Sequence, residues 1–334
     1  MSGAEIDLTG SAAYSAEMQA ELDRIDMLAP ARVDFSRPPG AAMRKVDADF
    51  NAIWNIDLPA VAKVRRLTLP ADPSIEAAEC EAVLYQPADA GEGLILFVHG
   101  GGWSFMDLDT HERFMRLLSI EARTSLIGIQ YRLAPENPHP AGLRDVVSAL
   151  RQILTHRDAH DLPPGPVIIA GDSAGGNLAL AAMLHEIDAA MEMPAGGLLF
   201  YGVFGADFET PSYRTFADAD MLTRSTMQRL WDWYVPEASQ RNDPLAAPIH
   251  ASDEQLRALP PLFLVVAEMD PLASDSLELK RRLAALGRDD GLWIEQGVVH
   301  GFMQMTAVLE AARRTMREAG KAARAFIARS VDPD

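Results

Sequence analysis

Val167-Ile168-Ile169-Ala170 runs directly into Gly171-Asp172-Ser173-Ala174-Gly175, and an apolar helical pattern follows over 177–189. A short unbroken apolar run is the signature of a strand buried on both faces. The spelling is G-x-S-x-G in a strand–turn–helix setting. There a serine is held strained and exposed on a turn too tight for flanking side chains. With Gly and Ser at about 7 % each, the bare pattern arises about 0.1 times by chance in a chain this long. A plain glycine-rich turn is the alternative, and the strand before and helix after argue against it.

Working outward, strand-like runs recur at 64–69, 80–85, 94–98, 126–131, 198–201, 262–267 and 292–295. Helical patterns lie between the later ones, at 111–122, 143–156 and 277–286, and a long C-terminal helix fits 303–328. Strands alternating with helices predict a mostly parallel sheet of about eight strands with helices on both faces. Sites in such sheets lie beyond the carboxyl ends of the strands. Before residue 64 the pattern is helical. Tyr14, Met18, Leu22 and Ile25 recur at helical steps, Pro30, Pro38 and Pro39 break the pattern, and a second amphipathic helix fits 42–56. Residues 206–249 also depart from the alternation. They hold Phe208, Tyr213, Phe216, Met227, Trp231 and Tyr234 with no strand run, as expected for a helical insertion over the sheet.

The whole chain fits this reading. Its 334 residues are 48 % hydrophobic and 23 % charged, the balance of an ordinary globular protein rather than a disordered or coiled-coil one. No apolar run reaches the roughly 18 residues of a membrane span. The formal charge of -18 sets it against phosphate backbones and anionic lipid, so neither nucleic acid nor a membrane is an expected partner. Cys80 is the only cysteine, which excludes an intramolecular disulfide and a thiolate metal cluster within one chain. The stretch Met1 to Gly10 carries Glu5 and Asp7 without Lys or Arg, unlike a secretory signal. The expectation is a cytoplasmic protein, or one whose leader has been removed.

Three further elements complete a chemistry around Ser173. His99-Gly100-Gly101-Gly102-Trp103 follows the 94–98 strand, and consecutive glycines let backbone N–H groups approach a reacting carbonyl. Gly101 and Gly102, with the N–H of Ala174, make a candidate oxyanion hole. A phosphate-binding loop is the rival reading, but no G-K-[ST] follows. His300, in Val298-Val299-His300-Gly301-Phe302, lies between the last strand and the last helix, where a general base belongs. His99 belongs to the glycine loop and is expected to be structural. His111, His139, His185 and His250 read as surface or packing residues. His156 and His160 have a metal-ligand spacing but sit at a helix end before Pro163, so a solvated end is the expectation. Asp270, in Met269-Asp270-Pro271-Leu272, follows the 262–267 strand and is the candidate to orient His300. Asp243, in Asn242-Asp243-Pro244-Leu245, has similar spelling but no strand before it, and Asp275 and Asp290 are weaker candidates. Ser173, Asp270 and His300 then stand in the Ser–Asp–His order of α/β-hydrolases.

These segments, with Tyr131-Arg132-Leu133-Ala134-Pro135-Glu136, Gly176-Asn177 and His300-Gly301-Phe302, resemble the hormone-sensitive-lipase family of α/β-hydrolases, including its bacterial esterases. The resemblance runs in order over 94–328. It implies an eight-stranded α/β-hydrolase sheet over 61–330. A helical cap would form from 1–60 and the insertion at 206–249. The implied activity is that of a serine carboxylesterase working through a Ser173–Asp270–His300 triad and an acyl-enzyme, with no metal and no cofactor. A homodimer is also implied. Amide hydrolysis or acyl transfer on the same machinery stays open, as does a non-catalytic small-molecule receptor, against which the intact Ser173, Asp270 and His300 argue. The segment 131–136 looks like scaffolding. Met106 stands where relatives usually have Gly, and Ser276 follows Asp275 where relatives often have a small acidic or polar residue. Trp103, Met106 and Trp231 are the candidate substrate-pocket residues, although Met227, Trp231 and Tyr234 at helical spacing also fit a packed core. A soluble, acidic chain with a bulky Met106 by the glycine loop points to short acyl chains.

Overall fold

A computed structural model of the protein describes residues 12–331; the stretch Met1 to Gly10 lies outside the described residues. Eight strands form one sheet: β1 (Lys63–Leu69), β2 (Cys80–Gln86), β3 (Leu94–Val98), β4 (Ser125–Ile129), β5 (Val167–Asp172), β6 (Gly196–Phe200), β7 (Leu262–Met269) and β8 (Gly291–Val299). Their order is β1-β2-β4-β3-β5-β6-β7-β8. β2 runs antiparallel to β1 and β4, and every other pairing is parallel.

The two faces of the sheet explain the unbroken apolar runs. Leu94, Leu96 and Val98 of β3 pack into one cluster with α4 (Ala141–Thr155), α5 (Ala174–Asp188) and α9 (Ala273–Ala285). Ile95 and Phe97 point the opposite way, as alternate residues of a strand must, and meet α3 (Glu112–Ala122) and α10 (Glu310–Val331). Before the sheet come α1 (Ala16–Leu28) and α2 (Ala41–Asn51). The insertion holds α6 (Pro211–Thr215) and α7 (Arg224–Tyr234), and α8 (Asp253–Ala258) leads into β7.

Among the boundaries that differ from the sequence expectation, three have a clear local reason. The C-terminal helix does not start at Met303. A 3-10 turn over Phe302–Met305 buries Met303 and Met305, and α10 begins at Glu310. There the Glu17 carboxylate of α1 accepts the N–H groups of Glu310 and Ala311 at 2.8 and 2.9 Å, satisfying donors that a helix start leaves open. α2 ends at Asn51 rather than near Ile56, and Trp54 folds back to donate its indole N–H to Glu21 at 2.5 Å. β8 runs four residues past Glu295. Its register against β7 jumps from Ala267↔Glu295 to Met269↔Val299, so the extra residues of β8 bulge outward. That bulge brings the residue after β8 level with the residue after β7, and those residues are His300 and Asp270.

Candidate active site

Ser173 sits between β5 and α5 with φ 54° and ψ -119°, a conformation that costs energy in a non-glycine residue and is held by its surroundings. The surroundings are close. A Cβ on Gly175 would run into the Val98 carbonyl of β3, and one on Gly171 would run into the Gly175 carbonyl. The Ser173 N–H donates to Phe200 O at 2.8 Å, which ties the turn to β6. α5 starts at Ala174, three residues before the expected Asn177, so the Ala174 N–H has no acceptor within its helix.

His300 Nε2 lies 2.9 Å from Ser173 Oγ, and His300 Nδ1 lies 2.7 Å from Asp270 Oδ2. The Asp270 carboxylate is fully buried, and its Oδ1 accepts the Leu272 N–H at 2.8 Å. Asp243 is exposed, far from this chain of contacts in its bonding. Its Oδ1 accepts from Leu245 N at 2.9 Å within its own turn. Asp275 accepts from Phe204 and Gly205 N–H, and burial pushes it up to about 7. Asp290 pairs with Arg288. Of the four candidate acids, Asp270 alone is bonded to His300.

The glycine loop is fixed from below. The Gly100 N–H donates to Asp172 Oδ1 at 2.8 Å, and Tyr131 Oη donates to His99 O at 3.0 Å. Gly100 is thereby occupied, while Gly101 and Gly102, at φ 107° and 55°, line the cavity over Ser173. His99 is fully buried, and burial lowers it to about 4, so it is a neutral scaffold group. His111 is also fully buried; its Nε2 lies 3.2 Å from Asp172 Oδ1 without hydrogen-bond alignment. His139 bonds Tyr234 and His185 bonds Glu186. His156 and His160 bond Thr155 and Gln152.

The cavity over Ser173 and His300 holds about 130 Å³. Phe35 and Asp47 line it from the N-terminal segment, and Met221, Met227 and Leu230 line it from the insertion. Met106 lines it from a backbone at φ 63°. Trp103 and Trp231 do not. Trp103 stacks on Tyr234 at 4.1 Å between centroids and 4° between planes, and Trp231 packs edge-on against Trp103 at 5.0 Å. Both are fully buried beneath the loop, Trp103 with a face covered by Tyr234 and Trp231 packed against both of these rings. The insertion's helical spacing was the signal for this core role.

Several residues escape a sequence reading. Tyr201, at φ 38°, places its ring 4.9 Å from that of His300. Glu268 is buried and accepts the Gly297 N–H at 2.7 Å, closing the β8 bulge. Gly297 O in turn accepts the Ser15 N–H at the start of α1. Arg44 of α2 donates to Ser104 O at 2.9 Å and Ala134 O at 3.0 Å, so the N-terminal segment grips the glycine loop.

A family model described as an alpha/beta hydrolase fold matches residues 95–304. The chain belongs to the hormone-sensitive-lipase-like family of α/β-hydrolases. Within that family, carboxylesterase NlhH of Mycobacterium tuberculosis is 34 % identical over 220 residues, 66 % of this chain and 69 % of that one. The acetyl esterase of Salmonella schwarzengrund is 30 % identical over 285 residues, 84 % of each chain. Among solved structures, the α/β-hydrolase LAE6 from the metagenome of Lake Arreo is 28 % identical at a TM-score of 0.87, covering 94 % of this chain and 99 % of that one. The mostly parallel sheet expected from the alternation of strands and helices, and the α/β-hydrolase fold implied by the resemblance, are thus the family's fold. Among the described residues no helix is long and apolar enough to cross a membrane.

Proposed function

We propose that the chain is a serine carboxylesterase acting on short-chain acyl esters, with Ser173 as nucleophile, His300 as base and Asp270 as the group that orients it. Carboxylic-ester hydrolysis is the activity of the family members it matches by name, and the chain is a carboxylic-ester hydrolase. The observation that carries the residue assignment is the unbroken path from Ser173 Oγ through His300 to Asp270 Oδ2, at 2.9 and 2.7 Å. Ser173 Oγ attacks the ester carbonyl as its proton passes to His300 Nε2. The carbonyl electrons move to an oxyanion facing the N–H groups of Gly101, Gly102 and Ala174, each such donor contributing about 3 to 4 kcal/mol. Collapse expels the alkoxide, which takes the proton from His300. Water, deprotonated by His300, then cleaves the acyl-enzyme and restores Ser173.

The short-chain reading rests on the cavity. Its 130 Å³ is below the roughly 300 Å³ at which pockets for drug-sized ligands begin. Phe35, Met106, Met227 and Leu230 close its walls. Residues 1–60 and 206–249 are read as the cap over a catalytic unit at 61–330, supported by the residues each contributes to that wall. A cytoplasmic setting and a homodimer belong to the same proposal.

A series of p-nitrophenyl esters tests the substrate reading. The expected result is the highest kcat/KM between two and six acyl carbons and a steep fall by twelve. Higher efficiency on the twelve-carbon than on the four-carbon ester would overturn it.

A further inference from the structure

Outside the triad the cavity wall carries the polar side chains Asp47, Asp172, Thr226 and Gln304. Asp172 accepts the Gly100 N–H and Thr226 bonds Thr223, which leaves Asp47 and Gln304. Asp47, from α2, lines the cavity, and its Oδ2 is buried with no hydrogen-bond partner among the described residues. Gln304, from the turn after His300, lines the same cavity at 8 % exposure, and its Nε2 likewise has no partner. Around Asp47 stand the buried His111, the Met106 N–H and Asp107. Among the described residues no Lys or Arg lines the cavity beside Asp47. Burial pushes its carboxyl up to about 6.

A buried acceptor and a buried donor left unpaired are costly, and they become an asset only when a ligand pairs with them. Apart from the already bonded Asp172 and Thr226 and the triad, the wall is formed largely by apolar side chains, with Phe35, Met221, Leu222, Met227 and Leu230 facing the same space. An all-alkyl ester would satisfy that apolar side and leave both polar groups unmatched. A substituent able to donate a hydrogen bond would match Asp47, and a hydroxyl could accept from Gln304 as well.

We propose that the cavity selects esters bearing a hydrogen-bond-donating substituent, a hydroxyl or an ammonium, within a few bonds of the scissile carbonyl, and that Asp47 is the group that accepts from it. The proposal rests on the ester-hydrolase reading and names its substrate class. Sites built to bond a substrate OH or NH discriminate strongly against the analogue that lacks it, because the unmatched protein group is left buried. Asp47 thereby sets specificity without touching the Ser173 chemistry.

The test compares substrates that differ in one group. In the acyl arm these are methyl 3-hydroxybutanoate, methyl 3-aminobutanoate and methyl 3-methylbutanoate, which place OH, NH₃⁺ or CH₃ on the same carbon. In the alcohol arm they are 2-hydroxypropyl acetate and 2-methylpropyl acetate. The expected result is at least a tenfold higher kcat/KM for a donor-bearing ester than for its methyl counterpart in one arm. The acyl series separates hydroxyl from ammonium. In Asp47→Leu, which keeps a similar volume and has no acceptor, that ratio should fall below threefold. Equal or higher efficiency on the methyl counterparts in both arms of the unaltered enzyme would overturn the proposal without any variant. So would an undiminished ratio in Asp47→Leu. p-Nitrophenyl acetate, run alongside, isolates the underlying reading. Its hydrolysis with no donor preference refutes only the selectivity, whereas no hydrolysis of any ester refutes the ester-hydrolase reading and this proposal with it.

Discussion

Ser173→Ala is expected to lower kcat by about a millionfold, the scale reached when a serine-protease nucleophile is deleted. The reason lies in what else surrounds the bond. With Oγ gone, His300 Nε2 keeps its place but has no oxygen to activate, and no acyl-enzyme can form. The N–H groups of Gly101, Gly102 and Ala174 stay where they are, so substrate polarisation persists and a residual rate above water is expected. The change should leave the fold intact, because the turn is held by backbone contacts. The Ser173 N–H to Phe200 O bond and the close approach of Gly175 to Val98 do not involve Oγ. Circular dichroism matching the unaltered protein, with ester turnover at background, is the expected pair of readings. Retention of more than a few per cent of turnover would remove Ser173 from the nucleophile role.

The second large effect is at Asp270. The Leu272 N–H donates to Asp270 Oδ1, and His300 Nδ1 faces Oδ2. In Asp270→Asn the amide oxygen is the only acceptor left, and the Leu272 N–H holds it. The amide NH₂ then faces His300 Nδ1 and makes that nitrogen an acceptor, which moves the ring proton to Nε2. A protonated Nε2 cannot take the Ser173 proton. The expected loss in kcat is about ten-thousandfold, as for the equivalent change in a serine protease. Asp243→Asn serves as the internal comparison. Asp243 is exposed and accepts only from Leu245 N within its own turn, which an Asn oxygen also can do. Its effect should stay within the roughly 0.5 kcal/mol of an ordinary surface position. Both variants are to be measured on one ester after each is shown to be folded. The assignment fails if Asp243→Asn is the crippled enzyme and Asp270→Asn keeps most of its turnover.

The residues that were legible in the sequence are those whose chemistry is spelled locally. The elbow around Ser173, the glycine run at 100–102 and the apolar strands each occupy a few consecutive positions, and the periodicities of two and 3.6 mark the elements between them. His300 and Asp270 were legible because each follows a strand directly, and parallel strands end at one edge. The β8 bulge was not legible. It depends on Glu268 reaching Gly297 from the neighbouring strand, a contact between residues 29 positions apart. Asp47 and Phe35 carried no signal either, since a lone acid in an amphipathic helix reads as a solvated face. Only the fold of the N-terminal segment over the glycine loop, anchored by Arg44, brings them to the cavity. Trp103 and Trp231 went the other way. Their size and place in sequence fit a pocket wall, but stacking of Trp103 on Tyr234 and the angled packing of Trp231 against both rings bury them beneath it. Short motifs thus locate the candidate reacting atoms, while the cavity walls come from segments distant in the chain.

The central claim is that Ser173 is the nucleophile of an ester hydrolase. The most direct measurement is covalent labelling by an organophosphate, followed in parallel by loss of ester hydrolysis and by mass-spectrometric mapping of the modified peptide. The expected result is one adduct per chain on Ser173, formed in step with the loss of activity, and no adduct in Ser173→Ala. Activity lost through an adduct on another serine, or activity surviving full modification of Ser173, would contradict the account.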